Sequence, residues 1–277
     1  SRLCAAEGHA GQGAAACSAQ HRSAAACHPH VELRTIGASV NGRPIDLVRV
    51  GTPSASKRRI WVTARQHPGE TMAEWCVEGL LRRLTDPHDP VACKLTQRAT
   101  LYVVPCVNPD GAVQGLLRTN AAGVNLNRAW EEPDEKTAPE IACVLAAMDA
   151  TGVDLFLDIH GDEILPYNFF VTNRGLPNFD DRHERMLSKL ERAYQRASPD
   201  FQTKVGYPPN SPTNVNWSIG ARAVGRRFDC VAVTLEQPFK DNADAPVPHT
   251  GWSPARALKL GAAFLDAALD VVGVLRD

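Results

Sequence analysis

The sequence predicts an α/β fold, a mixed and largely parallel sheet sandwiched between helices. Three observations lead there. Short runs that are apolar or alternate apolar with polar recur at residues 60–64, 100–104, 154–159 and 231–235, rich in β-branched and aromatic residues, so they read as strands. Segments with helical spacing alternate with them, which implies parallel pairing through crossovers. Polar side chains also collect where strands end, with His67 after one strand, His160 after a second and Glu236 after a third. Open α/β sheets form their sites outside the carboxyl ends of the strands.

Composition sets the bounds. The chain has 277 residues, room for one large α/β domain or two small ones. Its 30 basic and 31 acidic side chains nearly cancel, which argues against nucleic acid or a membrane surface as partner. A hydrophobic content of 44% suits a globular protein with a sizeable core. The sequence has no run of about 18 apolar residues, so no membrane-spanning helix is expected. No stretch has the basic, apolar, small-residue order of an export signal. The eight cysteines include no CxxC pair. Cys76 and Cys143 on apolar helix faces, and Cys106 and Cys230 in or beside strands, are expected to be buried thiols in a reducing cytoplasm. The oligomeric state is left open.

Taken in order, residues 1–30 stand apart. They are rich in Ala, Gly, His and Cys, and Leu3 is their only large aliphatic residue. Their cysteines and histidines fit no zinc-site spacing. Such an atypical, low-complexity segment cannot bury enough apolar surface to offset ordering entropy. Residues 31–277 are expected to form one catalytic domain. Residues 31–36 and 45–50 read as strands flanking Asn41-Gly42, a hairpin signal. The strand at 60–64 is followed by a helix after Glu70, with Ala73, Cys76, Val77, Leu80, Leu81 and Leu84 on one face. Residues 86–90 read as a loop. The strand at 100–104 ends at Pro105 and leads into Asn108-Pro-Asp-Gly111, a turn by composition. Residues 115–133 have no clean period and are expected to form a long functional loop. A helix follows at 139–148, then the strand at 154–159 and a short strand at 169–172. An amphipathic helix at 180–196 precedes a loop at 205–220 rich in Pro, Asn and Ser. After the strand at 231–235, a closing helix at 253–275 has Ser253 as N-cap and Pro254 at its first position.

The chemistry starts at His67-Pro-Gly-Glu70, a strand-to-helix turn. Pro68 blocks ladder pairing and Gly69 permits a sharp bend. The turn therefore lifts an imidazole and a carboxylate off the sheet edge. Zinc takes that mixed nitrogen and oxygen shell, with one position left open for water. The motif alone is a weak signal, since a glutamate at a helix start is favoured by the helix dipole in any case. His160, followed by a permissive Gly161, and Glu236 stand on two further strand ends, and together the three strand ends make a much stronger signal.

The full ordered set is His67-Pro-Gly-Glu70, Asn108-Pro-Asp-Gly111, Gly123-Val-Asn-Leu-Asn-Arg128, Asp158-Ile-His-Gly161 and Thr234-Leu-Glu236. It resembles the signature of zinc metallocarboxypeptidases, above all the cytosolic carboxypeptidase branch with its bacterial members, over about residues 31–270. The resemblance implies a metallocarboxypeptidase-like fold and one zinc ion per chain, held by His67, Glu70 and His160. Asp158 would accept from a ligand imidazole. Glu236 would be the general base, taking a proton from water and passing it to the leaving amine. Arg118 would face the scissile carbonyl, and Asn127 with Arg128 would hold the substrate's terminal carboxylate, a task suited to the planar fork of arginine. Asn108 and Asp110 read as turn formers. The family's tyrosine has no clear match; Tyr207 is the candidate and Tyr167 the other option. Trp217 either walls a pocket or packs in the core. The branch also carries a small β-sandwich domain upstream, and residues 1–30 are expected to be a remnant of that region.

The resemblance further suggests a preference for C-terminal glutamate. A buried substrate carboxylate needs a cation. The segment 216–228 offers Arg222, Arg226 and Arg227, and Arg222, close after Gly220 among small residues, is the one expected to wall the pocket. The expected function is therefore hydrolysis of the C-terminal peptide bond of a peptide or protein. Two alternatives stand beside it: a zinc amidase of the same superfamily acting on acyl-amino acids or γ-D-glutamyl peptides, and a non-catalytic zinc-binding homologue.

Overall fold

A computed structural model describes residues 31–276; the reading of residues 1–30 lies outside them. The strands are β1 (Val31–Ala38), β2 (Pro44–Val50), β3 (Arg58–Ala64), β4 (Ala99–Val104), β5 (Leu155–Ile159), β6 (Phe169–Val171) and β7 (Val231–Glu236). They form one seven-stranded sheet in the order β1-β2-β4-β3-β5-β7-β6. The four central strands β4, β3, β5 and β7 run parallel. The flanking strands β1, β2 and β6 pair antiparallel. β1 and β2 close around Asn41-Gly42, where Gly42 takes the positive φ of 78° that a tight hairpin needs.

The helices are α1 (Met72–Leu84), α2 (Pro90–Arg98), α3 (Pro109–Gln114), α4 (Pro139–Thr151), α5 (Asp181–Ala197), α6 (Gly220–Phe228) and α7 (Pro254–Val271). Successive side chains of a strand point to opposite faces, and the sheet uses this directly. Ile60, Val62, Leu155, Leu157, Val231 and Val233 pack with α1, α2, α5 and α7 on one side. Trp61, Phe156 and Ala232 pack with α4 and α6 on the other. Cover on both faces explains why the central strands read as continuous apolar runs.

α1 and α7 cross backbone to backbone. A Cβ on Gly79 would sit 1.9 Å from the Leu258 carbonyl oxygen, and one on Gly261 would sit 1.8 Å from that of Cys76. No helix among the described residues is long and apolar enough to cross a membrane.

Several segments differ from their sequence reading. The loop at 86–90 ends in a helix start: the Asp89 carboxylate accepts from the Val91 and Ala92 amides, and Pro90 opens α2. Asn108-Pro-Asp-Gly111 is the N-cap and first turn of α3, because the Asn108 side chain accepts from the Gly111 amide. The loop 115–133 contains a 3-10 turn, Leu126–Arg128, capped by Asn125. The segment proposed as a pocket wall is the helix α6. Ser253 stands at the N-cap of α7, but its side chain makes no cap bond.

Candidate metal centre and substrate cleft

The ends of β3 and β5 are neighbours in the sheet, so the residues that follow them meet. Arg65 leaves β3 in the left-handed region, with φ of 59°, a conformation unusual for a side-chain-bearing residue. Its guanidinium donates to the Pro68 carbonyl at 2.6 Å and pairs with Glu74 on α1, which clamps the His67–Glu70 corner to that helix. The Gly69 amide donates to the Leu117 carbonyl at 2.8 Å, tying the corner to the loop that carries Arg118. Asn108 adds a second tie, donating to the Gln66 and Thr119 carbonyls.

His67, Glu70 and His160 converge. All three are buried, and one donor atom of each lies within 4.8 Å of the others. Glu70 Oε1 is 2.6 Å from His67 Nδ1, and Oε2 is 2.8 Å from His160 Nδ1. The outer nitrogens are engaged elsewhere. His67 Nε2 lies 2.9 Å from Asn125 Oδ1, an oxygen that also accepts the Asn127 amide. His160 Nε2 lies 2.9 Å from Asp158 Oδ2. With acceptors behind both rings, Nε2 of each can carry the proton, which leaves Nδ1, the atom that faces Glu70, as the one that would meet a cation. Two such nitrogens and a carboxylate are a set that a divalent cation of zinc's chemistry fits. Without a cation these groups satisfy one another. Burial raises Glu70, but His160 and His67 outweigh it and bring the carboxyl down to about 2. Burial lowers His160, and the Asp158 and Glu70 carboxylates outweigh that and hold it well above the ordinary imidazole range.

Gly161 has a sharper role than freedom to turn. A Cβ there would lie 2.5 Å from Met72 Sδ, and its amide donates to Glu70 Oε2 at 3.1 Å.

The group opens onto a cleft of about 410 Å³. Glu236, Arg118, Asn127, Arg128, Arg222 and Tyr207 all line it. Glu236 ends β7, next to β5. The residue opens partly to the cleft, but its Oε2 is buried without a hydrogen-bond partner. Burial pushes its carboxyl up to about 8, with Glu70, Asp162 and Asp158 adding to the rise and His160 opposing it.

The cleft lining also includes three arginines. Arg118 approaches Glu70 Oε1 only at 3.8 Å. Arg128 is held below its ordinary value by partial burial and by Arg118, and Arg222 by partial burial and by Arg128. Among the described residues neither Arg128 nor Arg222 has a carboxylate partner. The two other arginines of α6 are occupied: Arg226 pairs with Glu131 and lies over the Trp217 ring, and Arg227 pairs with Asp149. Asn127 Oδ1 accepts from the Gly220 amide at 2.8 Å, so it also fixes the start of α6. Tyr207 bonds to Asp162, and burial followed by that carboxylate raises its phenol. Tyr167 and Trp217 do not line the cleft.

Sequence reasoning passed over Asn125, although it stands within Gly123-Val-Asn-Leu-Asn-Arg128, and over Asp162 and Gln66, each beside a quoted histidine motif. Their only sequence signal was a polar residue in that position.

A family model for zinc carboxypeptidases matches residues 19–236. The chain belongs to the zinc carboxypeptidase family. Among relatives of this zinc carboxypeptidase chain, an uncharacterized protein of Zymomonas mobilis is 42% identical over 83% of this chain and 60% of its own length. Human cytosolic carboxypeptidase 6 is 29% identical over 78% of this chain and 45% of its own length. The chain thus spans 60% or less of the length of these relatives. A solved metallo-carboxypeptidase from Pseudomonas aeruginosa, in complex with (2-guanidinoethylmercapto)succinic acid, superposes with a TM-score of 0.90 at 44% identity, covering 94% of this chain and 69% of that one.

Proposed function

We propose that this protein is a zinc-dependent carboxypeptidase that hydrolyses the C-terminal peptide bond of peptides or proteins, with a preference for C-terminal glutamate, and that it works in the cytoplasm. The observation that carries the reading is the pairing of two features in one cleft. A buried His-Glu-His group with both Nδ1 atoms facing inward lies beside an unpartnered glutamate oxygen, and two arginines with no carboxylate partner among the described residues line the same cleft. The cytoplasmic part is supported by relatives named cytosolic carboxypeptidases.

His67, Glu70 and His160 would hold the zinc, which when bound supplies Lewis-acid polarisation and acidifies water. Glu236 takes a proton from the attacking water through its carboxylate, which opens partly to the cleft, and gives it to the leaving amine. Its raised proton affinity suits it to hold that proton between the two transfers. Arg118 offers N–H groups to the scissile carbonyl oxygen as charge develops. Asn127 and Arg128 bind the terminal carboxylate, which explains why the Arg128 guanidinium lacks a protein counter-charge. Arg222 then meets a side-chain carboxylate at the α6 wall, since Arg226 and Arg227 are already paired. Tyr207, held by Asp162, covers the substrate from the loop side.

The non-catalytic alternative loses ground because all four groups the chemistry needs meet in one cleft. The ligand of the Pseudomonas structure carries a guanidinium as well as two carboxylates, so it supports a cleft that takes carboxylates and does not favour an acidic over a basic end.

The test is a scan of blocked dipeptides differing only in the last residue, with zinc-loaded protein. Fastest release of glutamate is expected. Preference for aromatic or basic ends would overturn the acidic-end reading, and turnover of acyl-amino acids or γ-D-glutamyl peptides alone would favour the amidase.

A further inference from the structure

Gln66 is fully buried and has no part in the chemistry above. Its amide reaches three other buried side chains: Nε2 donates to Asp158 Oδ2 at 2.6 Å and lies 3.4 Å from His160 Nε2, which shares that carboxylate oxygen, and Oε1 accepts from Trp130 Nε1 at 2.8 Å. An indole N–H can only donate. The amide therefore has one workable orientation. Flipping it would set N–H against N–H at Trp130 and oxygen against the Asp158 carboxylate. Trp130 is itself held, because its backbone amide donates to the Ser218 carbonyl at 3.1 Å and the α6 start at Gly220 packs on its ring.

Downstream, Asp158 Oδ1 accepts from Thr63 at 2.7 Å, so both carboxylate oxygens have donors besides His160. Such a carboxylate is fixed in place, and its remaining capacity on Oδ2 faces His160 Nε2.

We propose that Trp130 and Gln66 are positioning residues, a directional hydrogen-bond run from indole to amide to Asp158 that pins His160 in the tautomer whose Nδ1 lone pair faces the metal centre. The inference rests on the zinc reading above. It gives Gln66 a task distinct from packing: its N–H group must point at Asp158. A glutamate in its place could still accept from Trp130 but would set a carboxylate against Asp158. A methionine would fill the space and neither donate nor accept.

The experiment measures zinc affinity by competition with a chromophoric chelator, and melting of the metal-free protein, for wild type, Gln66→Glu, Gln66→Met and Trp130→Phe. Gln66→Glu should weaken zinc binding by about 10- to 100-fold, the usual scale for losing an outer partner of a ligand. Gln66→Met should weaken it less. Trp130→Phe keeps an aromatic ring and removes the indole N–H that orients the amide; it should weaken binding several-fold and, because the smaller ring leaves space in the core, also lower melting. The proposal is overturned if Gln66→Glu binds zinc within about two-fold of wild type, if Gln66→Met is the weaker of the two, or if Trp130→Phe binds like wild type. Wild-type protein that takes up no zinc would instead overturn the metal-centre reading itself.

Discussion

Replacing Glu236 by glutamine should stabilise the metal-free protein, and the gain should depend on pH. The folded state holds the Glu236 proton up to about 8, whereas an ordinary glutamate releases it at 4.5. Below the ordinary value both states are protonated and the side chain makes no pH-linked contribution. As pH rises between the two values the unfolded chain ionises and the folded one does not, so stability is lost at about 1.4 kcal/mol per unit. At pH 7, two and a half units above 4.5, the loss reaches about 3 kcal/mol, and above the folded value it levels off. This is an upper figure, because the residue opens partly to the cleft and water there screens the charge. For a domain of this size each kcal/mol is worth roughly 2–4 °C in Tm. The assay is thermal melting of wild type and Glu236→Gln in chelator from pH 5 to pH 8.5. From pH 5 to the folded value is three units, at most about 4 kcal/mol, so the Tm difference should widen by at most roughly 8–16 °C as pH rises. Any fixed cost of burying the amide cancels, because only the slope is read. Zinc should flatten that slope, since a cation in the His-Glu-His group favours the ionised carboxylate. A difference that stays level across this range would refute the reasoning.

Three further outcomes are expected. His67→Ala should lose activity and zinc content together, as read by elemental analysis; full zinc retention would remove His67 from the ligand set. Zinc-loaded Glu236→Gln should keep its metal and lose at least ~10²-fold in turnover, the scale of general acid–base catalysis, and near-normal turnover would exclude it as the base. Arg222→Glu should cut kcat/KM for a C-terminal glutamate by at least roughly 30-fold, the cost of breaking a desolvated charge pair, and raise it for lysine; an unchanged ratio would shift the pocket assignment elsewhere.

What could be read without the structure followed from period and chemistry. α1 buries all six residues that its spacing put on one face, and Gly79 besides. The central strands were legible because two-sided burial makes them uniformly apolar. α2 and α6 were not, since a nine-residue helix gives barely two turns of pattern and Asp89-Pro90 reads as a turn as easily as a cap. At the site, residue types at strand ends pointed to His67, Glu70, His160 and Glu236. Asn125, Gln66 and Trp130 stayed hidden because their meaning is directional. Only contact geometry reveals that an amide oxygen faces His67 or that an indole sets the orientation of Gln66.

The glycine pair where α1 crosses α7 has a consequence for how this protein can vary. Glu70 stands two residues before α1 begins, on the corner joined directly to the stiff rod that carries Gly79. A methyl group at either Gly79 or Gly261 meets a carbonyl oxygen of the facing helix, so the rod must lift, and its N-terminal end lifts with it. Mutational tolerance at two buried positions remote from the cleft is thereby tied to the fate of a carboxylate within it. A saturation library should recover almost no active replacements at 79 or 261, while exposed Arg82 on the same helix accepts most substitutions.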